Sequence, residues 1–194
     1  MHRVSKHKNI TYSWGKGRNN MSVRVGSTLP DFTAQAYFPN GEIKDLKRSD
    51  YKGKWLVVFF YPLDFTFVCP TEIQAFSSEY QSFTKEKCDI VAVSTDSAFS
   101  HKAWAESSLG KIAFPIIGDT NHEISRLFGV LVEEKGIALR GTFIINPEGK
   151  VVSSVVNDLS VGRNVDETFR TLKAFQTGGL TPCAWKPGQE TLKV

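Results

Sequence analysis

Apolar residues fall along this chain in short blocks, and the spacing inside each block names an element. Trp55 to Tyr61 (WLVVFFY) is continuously apolar and rich in β-formers, which predicts a strand buried on both faces. Over residues 71–86 the period changes. Ile73, Phe76, Tyr80 and Phe83 recur at steps of three and four, the signature of an amphipathic helix. DIVAVST (89–95) reads as the next buried strand, and a helix follows with Ser97 as its N-cap. FPIIGD (114–119) ends a further strand, and NHEISRLFGV gives a short helix closed near Gly129.

Towards the N-terminus, Phe32–Tyr37 and Glu42–Leu46 flank Phe38-Pro39-Asn40-Gly41, a hairpin signal. Towards the C-terminus, LRGTFIINPEGKVVSSVV predicts two strands around an NPEG turn. NVDETFRTLKAFQTGG is a last helix with Phe169, Leu172 and Phe175 on one face and Gly178 past its end. Alternating strands and helices, then a hairpin and a helix, imply an α/β core. The division expected is a leader over 1–21, one folded domain over 22–179 and an irregular tail over 180–194. That tail should lie on some other surface, because Leu180 and Trp185 are poor residues to leave in water.

Charge changes the picture little. The 194-residue chain carries +4, but Arg3, Lys6, Lys8, Lys16 and Arg18 all sit in the first twenty residues, which hold no acid. The remaining residues sum to −1, so no basic patch of the kind a nucleic-acid-binding domain presents is expected on the body. The leader lacks the apolar stretch of a secretory signal. It reads as a disordered tail, as sequence upstream of a second start at Met21, or less well as an organellar transit peptide. The longest apolar run, Trp55 to Leu63, is nine residues. A membrane-spanning helix needs about twenty, so no transmembrane segment is expected. Cys69, Cys88 and Cys183 are odd in number and widely spaced. They suit neither a disulfide framework nor a zinc site, and point to a reducing compartment such as the cytoplasm.

The candidate chemistry centres on FYPLDFTFVCPTEI (60–73). Cys69 stands where the loop ends and the helix begins, with Pro70 expected at the first helical position. Backbone N–H groups and the positive end of the helix dipole favour a thiolate there, and the thiolate is the nucleophile. A buried filler cysteine remains the alternative. Thr66 can supply a hydroxyl and Pro62 can shield the site from water. Cys88 opens a strand with nothing nearby to activate it and reads as filler. His101 and Trp104 lie three apart on one helix, with Trp104 turned inward. His122 reads as a first-turn residue facing solvent. No histidine stands out as a ligand, and neither a metal nor a bound cofactor is expected.

Pro62, Thr66 and Cys69 match the PxxxTxxC signature of the peroxiredoxins, and the whole segment resembles their typical two-cysteine subgroup. The resemblance runs over about residues 22–190. It implies a thioredoxin-like fold, in which a central mixed β-sheet is flanked by helices. It also implies that Cys69 is the peroxidatic cysteine, which becomes a sulfenic acid on attacking a hydroperoxide. Arg140 would hold the thiolate and polarise the peroxide. Glu72 and Arg163 would orient that arginine, and Trp104 would wall the site. Cys183, in Thr181-Pro182-Cys183-Ala184, resembles the resolving cysteine. In the family it comes from the partner subunit and forms an intersubunit disulfide that a thioredoxin-like reductant reopens.

Homodimers, often five in a ring, are further implied. Taken by themselves, Glu72, Arg140 and Arg163 read equally well as a helix-start acid and two surface arginines. A redox relay or sensor and a chaperone-like holdase remain alternative roles for the same residues. The sequence departs from many eukaryotic members at Ser107-Ser108-Leu109-Gly110, where they carry GGLG, and Val194 follows soon after Lys186-Pro187-Gly188. The expectation drawn from this is resistance to overoxidation.

Overall fold

A computed structural model describes residues 22–193. The expected leader, 1–21, lies outside them. The hairpin at the start is present: β1 (Thr33–Tyr37) pairs antiparallel with β2 (Ile43–Lys47) around the Asn40-Gly41 turn. The apolar block becomes β3 (Trp55–Phe60), followed by α1 (Cys69–Lys85), β4 (Cys88–Ser94), α2 (Ala98–Trp104) and β5 (Ile116–Gly118). Then come α3 (Glu123–Leu127), β6 (Leu131–Val132), β7 (Ile137–Ala138), β8 (Arg140–Ile145), β9 (Val151–Asn157) and α4 (Val165–Gln176).

Seven strands form one sheet in the order β2-β1-β5-β4-β3-β8-β9. β3, β4 and β5 run parallel, whereas β1, β8 and β9 add antiparallel strands on either side. This is the expected mixed sheet. The small β6–β7 hairpin was not legible, because two-residue strands carry no measurable alternation.

β3 shows why the apolar block is continuous. Val57 and Phe59 point to one face, where Ile73, Phe76 and Phe83 of α1 and Leu172 of α4 cover them. Leu56, Val58 and Phe60 point to the other, against Ile124, Phe128, Val130 and Phe143. A strand at the centre of a three-layer core has no polar face to alternate with. Phe59 stacks on Phe76 with ring centroids 4.3 Å apart, which fixes α1 over the middle of the sheet.

Two local readings are corrected. Phe175, placed by the sequence on one face with Phe169 and Leu172, is 41% exposed, whereas Leu172 is fully buried and Phe169 packs on Phe83 of α1 with ring centroids 5.2 Å apart. In the tail, Trp185 is buried as expected, whereas Leu180 is exposed.

α2 begins as expected, with the Ser97 hydroxyl accepting from the Ser100 N–H. It ends in a wide π-helical turn over Ala105–Leu109 that the sequence did not announce. Its N-terminus presses on β5 at Gly118, where an added Cβ would lie 2.6 Å from the Ala98 nitrogen. That close approach brings α2 onto the loop leading into α1.

Candidate active site

Cys69 is the first residue of α1 and Pro70 the second, one position later than the sequence suggested. Proline is tolerated there because a first-turn N–H has no intrahelical partner to lose. The Cys69 side chain is fully buried, under Tyr61, Ile73 and Trp104 of the same apolar cluster. Pro62, on the loop ahead of α1, is buried as well.

Into this apolar surround the fold sends a cation. Arg140 opens β8, next to β3 in the sheet, and its Nη1 donates to Cys69 Sγ at 3.5 Å. The same Nη1 lies 2.6 Å from Glu72 Oε2, and the Arg140 Nε donates to the Leu159 carbonyl at 2.8 Å. Glu72 stands three residues beyond Cys69, one turn along α1, so its carboxylate falls on the same side of the helix as the sulfur.

A second guanidinium completes the arrangement. Arg163, just ahead of α4, donates from Nε to Glu72 Oε1 at 2.9 Å, and its backbone N–H reaches the same oxygen at 3.1 Å. Its other nitrogens bond to the Phe60 and Gly141 carbonyls, and the guanidinium lies over the Phe59 ring. Burial pulls the Arg163 guanidinium down to about 10, and Glu72 pulls it back up. It therefore keeps its charge at neutral pH. Glu72, Arg140 and Arg163 are all nearly inaccessible, so two cations and one carboxylate share a dry site with a thiol that can carry negative charge.

Trp104 is buried in the same cluster as Cys69, tilted against Tyr61 and Phe65 with centroids about 6 Å away. Thr66 stands on the loop between Pro62 and Cys69. Its hydroxyl donates to the Leu63 carbonyl at 3.0 Å, and no hydrogen bond joins it to Cys69 among the described residues. Phe65, just before it, takes φ +53°. Phe67 projects outward, 95% exposed, so the loop between Pro62 and Cys69 has a buried root and a solvent-facing tip.

Cys183 lies on the exposed tail and is not brought to Cys69. Trp185 anchors the tail: its indole N–H bonds to the Gln189 carbonyl, and Arg170 of α4 holds its carbonyl at 3.1 Å. This anchor shares a groove with Lys85, Glu86 and Lys87, at the far end of α1 from Cys69. A helix of α1's length spans on the order of 25 Å, and the two residues from Trp185 to Cys183 reach about 7 Å at most. A disulfide brings its Cα atoms to roughly 4.4–6.8 Å, so the docked tail cannot close on the Cys69 of its own chain.

Cys88 is buried, and burial pushes its thiol well up, as suits filler. Sequence reasoning missed His101. It is completely buried in a polar network with Asp64, Tyr61 and Ser100, and nothing in a helical repeat of three distinguishes that from an inward-packed ring. Among the described residues no group of three His, Cys, Asp or Glu side chains is placed to hold a metal ion, and no helix is long and apolar enough to cross a membrane.

The AhpC/TSA family matches residues 25–154 of the chain. A peroxiredoxin from Cynops pyrrhogaster is 49% identical over 180 residues, which cover 88% of this chain and 90% of that protein. The thioredoxin peroxidase of Echinococcus granulosus is 47% identical over 182 residues, covering 89% and 94%. The reduced 2-Cys peroxiredoxin of Plasmodium vivax superposes with a TM-score of 0.84 at 32% identity, covering 87% of this chain and 92% of that structure.

Proposed function

The chain belongs to the AhpC/TSA family of peroxiredoxins and is a thiol peroxidase, and from that premise we propose which residues do the chemistry and in what assembly. The observation that carries the reading is the Arg140 guanidinium, shared between Cys69 Sγ and Glu72. The substrate is hydrogen peroxide or a small organic hydroperoxide. The Cys69 thiolate gives an electron pair to the terminal peroxide oxygen. An S–O bond forms, the O–O bond breaks, and the departing oxygen leaves with a proton as water or an alcohol. Charge moves from sulfur to oxygen in this step. A guanidinium beside the sulfur, held in place by Glu72, can follow that charge with no reorganisation. No cofactor enters the step.

The Cys69 sulfenic acid is then attacked by Cys183. An S–S bond forms, the S–O bond breaks, and the oxygen leaves as water. Because the docked tail is too far from its own Cys69, the attacking cysteine comes from a second copy of the chain. β9 supports a dimer, being an edge strand with Val155 and Val156 exposed and β8 on one side only. A ring of five dimers is part of the same proposal, as is residence in a reducing compartment such as the cytoplasm. A thioredoxin-like dithiol returns the disulfide to two thiols by exchange. Thr66 and Pro62 serve as loop residues that shape the pocket, and Trp104 as its wall.

The test is a non-reducing gel after one equivalent of hydrogen peroxide. Wild type and Cys88→Ser should shift to covalent dimers, whereas Cys69→Ser and Cys183→Ser should not. Dimerisation of Cys183→Ser would overturn the assignment of the tail cysteine.

A further inference from the structure

The mechanism contains an obstacle. Cys69 is completely buried, so no sulfur from another chain can touch it while the loop ahead of α1 stays closed. Residues 62–69 must open before resolution, and whatever holds them shut sets the pace.

Little holds the tip of this loop. Phe65 and Phe67 are exposed, and the Thr66 hydroxyl bonds only within the loop. Its root is different. Asp64, five residues before Cys69, sends its carboxylate into the protein, where the side chain is 1% exposed. Tyr61 Oη donates to Oδ1 at 2.7 Å, and Ser100 Oγ donates to Oδ2 at 2.7 Å. His101 Nδ1 lies 2.8 Å from Oδ2, and its Nε2 lies 3.1 Å from the Ile117 carbonyl on β5. The Asp64 N–H in turn donates to Asp96, which is braced by the Ser94 hydroxyl. One carboxylate thus ties the loop to the end of β3, to α2 and, through His101, to β5.

We propose that Asp64 and His101 form a latch that holds the Cys69 loop closed and sets how often Cys69 is released towards the partner's Cys183. They are positioning residues and touch neither sulfur nor peroxide. The latch has a chemical consequence, because a sulfenic acid held in the pocket is exposed to a second peroxide, which converts it to sulfinic acid. Release to Cys183 competes with that second oxidation. A tight latch favours sulfinic acid, and a loose one favours the disulfide. Local opening of such a segment is governed by its own few bonds, not by the global stability of the fold.

This inference rests on the Cys69–Cys183 reading, and two readouts separate the two. The first is amide hydrogen exchange of the reduced protein, which needs no cysteine chemistry. The second is the hydrogen peroxide concentration at which half of Cys69 is sulfinic acid instead of disulfide, measured by mass spectrometry during turnover. Ser100→Ala removes one hydrogen bond to the buried carboxylate and is the mild variant; His101→Gln removes the ring. Removing one such bond should speed exchange of residues 62–69 by about tenfold and leave α4 unchanged. The half-point should rise in parallel, further in His101→Gln than in Ser100→Ala.

Unchanged exchange over 62–69 in Ser100→Ala would overturn the latch, whatever the fate of His101→Gln. Faster exchange with an unmoved half-point would overturn its control of resolution. If wild type forms no Cys69–Cys183 disulfide, the proposed mechanism falls, and the latch is judged on exchange alone.

Discussion

Arg140 Nη1 stands 2.6 Å from Glu72 Oε2 and reaches Cys69 Sγ with the same nitrogen. The carboxylate therefore sets where the cation sits, and the cation sets what the sulfur meets. Glu72 also neutralises part of Arg163. Glu72→Gln keeps the shape and removes the anion, leaving two buried guanidiniums facing each other. Breaking a buried ion pair from one side costs about 3–5 kcal/mol. Chemical denaturation should show a loss of that order, together with a slower reaction of Cys69 with peroxide in competition kinetics.

Arg140→Lys separates charge from geometry. Lysine retains the cation but cannot bond to sulfur, carboxylate and the Leu159 carbonyl in one plane. The second-order rate with hydrogen peroxide should fall about 10²- to 10³-fold, the cost of losing one aimed donor at a charge-developing centre. Stopped-flow fluorescence gives the number. A loss below threefold would mean that charge alone suffices.

Cys88 and Cys183 should separate by labelling. Cys88 is buried and its thiol is pushed up, so it stays protonated across the range where an ordinary cysteine ionises. Iodoacetamide should label exposed Cys183 and leave native Cys88 unlabelled from pH 7 to pH 9. Peptide mapping distinguishes them. Labelling of Cys88 that climbs with pH in the folded protein would show that its shelter is incomplete.

Trp185 secures the tail that carries Cys183, so Trp185→Ala should free it. The indole is 2% exposed and its carbonyl is held by Arg170. Truncating a buried tryptophan costs about 3–5 kcal/mol where the site cannot collapse, enough to undock a segment of this size. Limited proteolysis should then cut within 180–193 many times faster than in wild type, while α4 remains protected.

The exposed edge of β9 is testable by charge. Val156→Lys places an ammonium on the strand offered to a second copy. Sedimentation should show the dimer, and any ring built from it, falling to monomer at micromolar concentration. A dimer that persists would place the interface elsewhere.

The sequence by itself determined the order of strands and helices apart from β6 and β7, the position of Cys69 at a helix start and the burial of Cys88. Each of these is written in local periodicity or in one residue's immediate neighbours. The unbroken apolar run of β3 already implied cover on both faces. Glu72, Arg140 and Arg163 were another matter. Read alone they are a helix-start acid and two surface arginines, and only the resemblance to a family singled them out. Their meaning comes from β8 lying beside β3 in the sheet, which brings Arg140 to a sulfur 71 positions away.

The turned-away Thr66 hydroxyl, the burial of His101 against Asp64 and the separation of the docked Cys183 from Cys69 were likewise decided by tertiary structure. The physical reason is the same in each case. A side chain's partners depend on which distant segments the core brings together, and local patterns of polarity carry no record of that.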